Sequence, residues 1–429
     1  MSRTQVGTRT RWCLDAAFKR SQRLFHTDEV LDQVLPFWAK SFDETYGGVY
    51  TCWSNNGEVL LGEEKYVWSQ GRMLWLLSCL LMMHEGGQID LGTDASSYRQ
   101  HADRLYGFLH EHALLDEGQG VTSFLLDRYG KPREQVPGKG FYTSFYADCF
   151  VIMGYAKYAM MYKNKVLALE ALAILERMQG FLERGDIRTE PYPLPKGYST
   201  QAVHMILCNT LKELSDCFAL FDQGRHHELL LQAQSHAQII LSHYYDGQRT
   251  LLREIIPPEG DEATLLARHY NPGHAIECMW FCLDCLDESL AIEQMAGVVL
   301  SSLSLGWDEQ YGGLFRYVDR DGHMPKGDSL GTSFEKLIRG SWDYKLWWPH
   351  AEAIYACLRF YEATGNEEFL LWYERLKAYT FSHFPSVPGM EWIQIRQRDG
   401  EPLDSVVALP VKDPYHILRM HLLAIQALS

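Results

Sequence analysis

The sequence predicts an all-α protein, an (α/α)6 barrel (toroid) with short β-hairpins at one mouth. Three observations predict it. Apolar residues recur at spacings of three and four through about a dozen segments, as at Leu74, Leu77 and Leu81. Short Gly-rich pieces of similar composition separate some of these segments, so an internal repeat is present. No linker or low-complexity stretch divides the chain, which predicts one domain.

The helical pattern covers residues 28–40, 66–84, 96–113, 145–162, 164–184, 200–221, 226–243, 273–289, 291–305, 346–363, 367–383 and 414–427. The first 25 residues are Arg-rich and acid-poor. An amphipathic first helix with Trp12, Leu14, Phe18 and Leu24 is favoured there over a transit peptide. The expected organisation is an N-terminal extension or first helix over 1–27 and a single (α/α)6-barrel catalytic domain over 28–429.

The repeat is clearest in two places. Asp43-Glu-Thr-Tyr-Gly-Gly-Val-Tyr is followed by Asn55, Asn56 and Gly57, and Asp308-Glu-Gln-Tyr-Gly-Gly-Leu-Phe by Asp319, Arg320, Asp321 and Gly322. Fainter copies run over 116–130, 246–260 and 390–400. Each reads as a helix end, a Gly-rich turn, a short strand, an Asx-Gly turn and a second strand. Helix pairs repeated around a ring bury one face of each helix against its neighbours. The hairpins then gather at one mouth, the natural place for a site.

Bulk composition narrows the function. Hydrophobic content of 46% and charged content of 22% over 429 residues fit a globular protein with a large core. A net charge of −15 argues against nucleic acid or anionic membranes, and no segment reads as a membrane-spanning run. Aromatic content is high at 13%, which suits either a carbohydrate site or a large aromatic core. The ten cysteines lie mostly in apolar or helical settings. Cys282-Leu-Asp-Cys285 falls mid-helix with no second pair nearby, so all ten are expected as free thiols in a reducing, cytoplasmic location.

Residues able to do chemistry cluster in a few stretches. Asn271-Pro-Gly-His-Ala-Ile-Glu puts His274 in the first turn of a helix and Glu277 on the same face. Trp68, Arg72 and Trp75 share a helix face, where a buried arginine needs an ion-pair partner or a ligand. Trp348, after Trp347 and before Pro349, lies four residues from Glu352; this pairing fits a polyol site or a capped core helix. Asp148 is expected to be structural, and His204, on a strongly apolar helix, is more often a core residue than a ligand. His416 opens the C-terminal helix with Arg419 three residues on.

Two histidines therefore sit in first helical turns just after Pro-containing turns. A helix N-terminus favours neutral imidazole, which can act as a base. Two such groups on opposite faces of a sugar carbon can remove a proton from one side and return it to the other, while Arg72 holds an enediolate oxygen. His110 with His112, His226 with His227, and His269 with His274 have the wrong spacing for a shared metal.

With these stretches in view, the chain resembles the N-acylglucosamine 2-epimerase superfamily, which includes cellobiose and mannose 2-epimerases and aldose–ketose isomerases. The likeness runs from about residue 28 to 428 through Gly47–Cys52, Tyr66–Arg72, Asn271–Glu277, Trp307–Gly313, Lys345–Glu352 and Pro414–His416. It implies an (α/α)6 barrel and a carbohydrate isomerase acting at C2 of a monosaccharide. The catalytic residues it implies are His274, His416 and Arg72. The sugar-binding residues expected are His204, Glu277, Trp348, Glu352 and Trp68, with Glu277 as partner of His274 or of the sugar. No metal and no redox cofactor are implied; some members bind a nucleotide effector. The expected partner is a small-molecule sugar, with neither nucleic acid nor membrane, and a homodimer is one assembly the sequence permits. His204 stands where N-acylglucosamine epimerases carry Pro and resembles cellobiose epimerases and aldose–ketose isomerases there, which weakens the expectation of an N-acetyl sugar; Val411 stands where many members carry Trp, which favours a monosaccharide over a disaccharide. The leading expectation is a sugar 2-epimerase of mannose/glucose or N-acetylmannosamine/N-acetylglucosamine type. The alternatives are an aldose–ketose isomerase and, more remotely, a glycoside hydrolase or a non-catalytic sugar-binding protein.

Overall fold

Six helices buried on nearly all sides form an inner ring, and six helices with a narrower buried face pack outside it. The computed structural model describes residues 3–6, 9–12, 14–406 and 409–429. In chain order the twelve helices are α1 (Ala16–Asp28), α2 (Val67–Glu85), α3 (Ala95–His112), α4 (Phe145–Tyr162), α5 (Lys165–Glu183) and α6 (Gln201–Phe218). They continue as α7 (Gln223–Ile239), α8 (Pro272–Cys285), α9 (Ser289–Gly306), α10 (Trp347–Thr364), α11 (Glu368–His383) and α12 (Tyr415–Ala427).

The even-numbered helices pack each on the next, and α12 closes the circle against α2. The odd-numbered helices lie outside, α1 against α12. Sequence separates the layers. Helix α12 buries ten of eleven consecutive residues, Tyr415–Leu422 and Ala424–Ile425, as a helix enclosed on all sides must. Helix α3 buries only Tyr98, His101, Ala102, Leu105, Phe108 and Leu109, one stripe at three and four spacing. The predicted (α/α)6 toroid is thus the observed fold.

Short strands stitch the mouth together. The residues ahead of each inner helix pair with the hairpin that precedes the next one. Lys65-Tyr66 pair with Leu125-Leu126, Ser199-Thr200 with Ile255-Ile256, His269-Tyr270 with Val318-Asp319, and Lys345-Leu346 with Ile395-Arg396. Ser144 bridges Thr189, and the Lys412 N–H donates to the Thr51 carbonyl at 2.8 Å. The Gly-Gly repeats explain how these hairpins are anchored. Gly47, Gly48, Gly312 and Gly313 all have φ between +72° and +83°, a left-handed backbone that favours glycine. The carbonyls this exposes receive buried lysines: Lys65 donates to Gly47 and Asp43, and Lys345 to Gly313 and Asp308.

Three expectations change. The first helix starts at Ala16, capped by Asp15, so Trp12 and Leu14 precede it, Trp12 in a strand that pairs Arg9–Trp12 with Arg3–Val6. Its continuation is a π-helical turn, Glu29–Val34, and a short helix, Leu35–Ala39. An additional helix, Ser333–Ser341, opens on a Thr332–Glu335 capping box. Finally, α9 is long and apolar enough to cross a membrane by length and composition. It packs instead as an outer helix on α8, burying Ile292, Met295, Val299 and Leu303.

Candidate active site

A cavity of about 220 Å³ lies where the six inner helices begin. All six contribute to its wall, among them Trp68 and Arg72 of α2, His274 and Glu277 of α8, Trp348 of α10 and His416 of α12. The mouth hairpins add Glu254, Arg316 and Tyr317, and the helix Ser333–Ser341 adds Phe334.

His274 is fixed from both ends. Pro272 starts α8 with its ring preset to helical φ, and the Asn271 side chain accepts the His274 backbone N–H at 3.2 Å. Its Nδ1 lies 2.9 Å from Glu254 Oε1. Burial lowers the imidazole pKa, but the Glu254 carboxylate outweighs it and the net shift is upward. This reverses the expectation from the helix N-terminus. Burial likewise raises the Glu254 pKa, and His274 more than offsets that, so Glu254 is held below its usual range.

His416 repeats this arrangement. Its Nδ1 lies 2.7 Å from Glu352 Oε1, and its backbone N–H donates to Asp413 at 3.2 Å. The Arg419 guanidinium donates to Glu352 at 2.6 Å and also to Glu277. Burial raises the Glu352 pKa, but Arg419 and His416 outweigh burial and hold it well below the usual carboxylate range. The Trp280 indole N–H takes the other Glu352 oxygen at 2.9 Å. In both dyads a carboxylate claims Nδ1 and selects the tautomer whose Nε2 is free to exchange a proton.

One indole lies close to both dyads. The Trp348 ring centroid lies 5.1 Å from that of His274 and 5.8 Å from that of His416. Gly273 makes room for it, since a Cβ there would meet the Trp348 ring at 2.7 Å. Arg72 stands on the α2 wall with its guanidinium carbon 4.0 Å from the Phe150 ring centroid and 4.7 Å from that of Trp68. Nη1 binds Asp413 at 3.1 Å. This satisfies the demand that a buried arginine be paired, while leaving Arg72 on the cavity wall.

The structure thus brings His274, His416, Arg72, Glu277, Trp348 and Trp68 into one cavity. Two predicted residues lie elsewhere. His204 points outward from α6, its Nδ1 2.9 Å from Nδ1 of His236 on α7, because Ala202, Met205, Ile206 and Asn209 hold the inward face. Glu352 backs His416 rather than lining the cavity, with its oxygens occupied by His416, Arg419 and Trp280. Glu277 is partnered by Arg419; the partner of His274 is Glu254. Asp148 is structural as expected, accepting from Thr122 and Tyr142 in the core. Glu277, Glu352 and His416 are close enough to hold a cation together. The same two carboxylates already receive Arg419, which a metal ion would have to displace.

Sequence reasoning missed Glu254 and Arg316 and gave Arg419 no role. Glu254 sits in a faint repeat copy, Leu251-Leu-Arg-Glu-Ile-Ile, with no local signal beyond a charge between apolar residues. Arg419 had a usable signal, a charge in an otherwise apolar helix three residues after His416.

Comparison with known proteins shows the family of the chain. The family model described as N-acylglucosamine 2-epimerase (GlcNAc 2-epimerase) matches residues 48–420. The bovine (Bos taurus) N-acylglucosamine 2-epimerase is 30% identical over 400 residues, which cover 91% of this chain and 87% of that protein. The chain belongs to the N-acylglucosamine 2-epimerase family. Among more distant relatives, a cellobiose 2-epimerase from Ruminococcus albus is 23% identical over 91% of this chain and 95% of that protein. The fold of this family member also matches a cellobiose 2-epimerase structure from Bacillus thermoamylovorans. There the TM-score is 0.73 at 20% identity, covering 96% of this chain and all of the other.

Proposed function

We propose that the protein is a sugar 2-epimerase in which one histidine removes the C2 proton of a monosaccharide and a second histidine supplies a proton to the opposite face. The observation that carries this reading is the pair of glutamate-backed imidazoles, His274–Glu254 and His416–Glu352, both next to the Trp348 indole in one cavity. With Nδ1–H donated to its glutamate, the neutral imidazole presents the Nε2 lone pair as a base. It takes the proton from C2 of the open-chain aldose, and the electron pair passes into the C1 carbonyl to form an enediolate. Arg72 stabilises the oxygen that gains the charge. The opposite imidazole, protonated on Nε2, then delivers a proton to the other face of C2. Trp348 provides an apolar face for the sugar between the two groups. Family membership and the names of the relatives, N-acylglucosamine and cellobiose 2-epimerases, support this chemistry. The nine described cysteines, all free and buried, support a reducing, cytoplasmic setting.

Incubation with mannose, glucose, fructose and N-acetylmannosamine in D₂O, followed by NMR, tests the reading. Deuterium at C2 of an inverted aldose supports epimerisation. Accumulation of a ketose would replace it with aldose–ketose isomerisation through the same enediolate. Hydrolysis of a glycoside with no exchange at any sugar carbon would refute both.

A further inference from the structure

We infer that Asn209 is a specificity-determining residue that pairs with an acylamino substituent on the sugar, an inference that rests on the epimerase reading. Asn209 lies on the inward face of α6, one turn after Met205, and lines the cavity. The residue is only 8% exposed, yet its side-chain amide has no hydrogen-bond partner among the described residues. Neither amide atom is sealed in the packed core; both open to the cavity. A carboxamide that faces the cavity with no protein partner keeps its donors and acceptor available, so a ligand group is a natural complement.

The chemistry of that group follows from what surrounds it. Glu254 is engaged by His274 and Gln201, Glu277 by Arg419, and Arg316 by Ser341. Asn209 therefore offers donors and an acceptor that no neighbour has claimed. Met205 and Ile206 beside it, and Phe281 from α8, are apolar cavity residues. A secondary amide fits both features. Its carbonyl accepts from Nδ2, its N–H donates to Oδ1, and its short acyl chain meets the apolar wall. A hydroxyl lacks the acyl chain that would cover that wall, and a carboxylate can accept from Nδ2 but leaves Oδ1 without a donor.

The test compares kcat/KM on N-acetylmannosamine and on mannose for the wild type, Asn209→Ala and the isosteric Asn209→Asp, with melting temperatures alongside. The wild type should prefer the acylamino sugar. Both variants should lower that preference ratio by roughly tenfold to a hundredfold, chiefly through KM, with melting temperatures near wild type. If the wild type does not turn over mannose, a loss of that size on N-acetylmannosamine in the stably folded Asn209→Asp variant is the supporting result. A wild-type preference for mannose, or an unchanged ratio in the variants, would overturn the assignment while leaving C2 exchange, and hence the epimerase reading, intact. Absence of C2 exchange with every sugar overturns both.

Discussion

Replacing Glu254 by Gln isolates what the carboxylate does for His274. The side chain keeps its shape and one acceptor oxygen, so the 2.9 Å contact to Nδ1 can persist, but the charge is gone. A hydrogen bond to a buried charged partner is worth about 1.5–3 kcal/mol. If that stabilisation is realised when His274 carries the proton, its loss is roughly a 10- to 150-fold drop in kcat/KM. The pH profile should move too. The Glu254 charge is what raises the His274 pKa against burial, so the variant should lower it and shift the acid limb of C2 exchange to lower pH. The linkage gives a stability signature as well. His274, raised on folding, contributes stability below its unfolded pKa that is lost as pH rises through the folded value. Glu254, depressed on folding, contributes stability above its unfolded pKa that is lost as pH falls through the folded value. The pair thus stabilises most between these limits, and the variant should flatten that window. The assay is C2 deuterium exchange from pH 5 to 9 with thermal unfolding over the same range. Wild-type rates and an unmoved acid limb in Glu254→Gln would refute the dyad reasoning.

Gly273→Ala should push the Trp348 ring away, because the new Cβ would sit 2.7 Å from it, and should cost about 1–3 kcal/mol in thermal unfolding together with a loss of kcat/KM. His204→Ala should keep C2 exchange within about threefold of wild type, since His204 faces His236 outside the cavity, a surface-like change by the usual scale of such substitutions. Asp43 and Asp308, whose burial is outweighed by their bonds to Lys65 and to Arg398 and Lys345, are held down to about 2. Each should therefore contribute on the order of 2 kcal/mol above the unfolded carboxylate pKa. That stability should disappear as pH falls toward 2, and Asp308→Asn should show a shallower acid decline in pH-dependent melting. Dialysis against a strong chelator should leave kcat unchanged, because proton transfer between imidazoles uses no metal ion; a loss restored by added zinc or magnesium would contradict this.

Most of the architecture was legible because its causes are local. Apolar spacing of three and four marks a helix wherever it lies in the chain, and eleven of the predicted segments overlap the long helices α2 to α12. The Asp-x-x-x-Gly-Gly repeats were readable because a left-handed turn favours glycine. The helix Ser333–Ser341 escaped because it is short and its signal is a capping box rather than a long apolar period. The start of α1 was harder to place, since Trp12 and Leu14 continue the apolar pattern upstream of the Asp15 cap.

By itself the sequence determined that His274 and His416 begin helices, since Asn271-Pro272-Gly273 and Asp413-Pro414 are turn and cap chemistry acting over a few residues. It also determined that Arg72 and Trp68 share a helix face. Only the tertiary structure decided which groups those side chains meet. Glu254 reaches His274 across a hairpin 20 residues away, and Glu352 reaches His416 from 64 residues away on a neighbouring inner helix. It decided, too, that His204 turns outward. On a strongly apolar helix nothing local marks the inward face, so closure of the ring chooses it and leaves Asn209, not His204, facing the cavity.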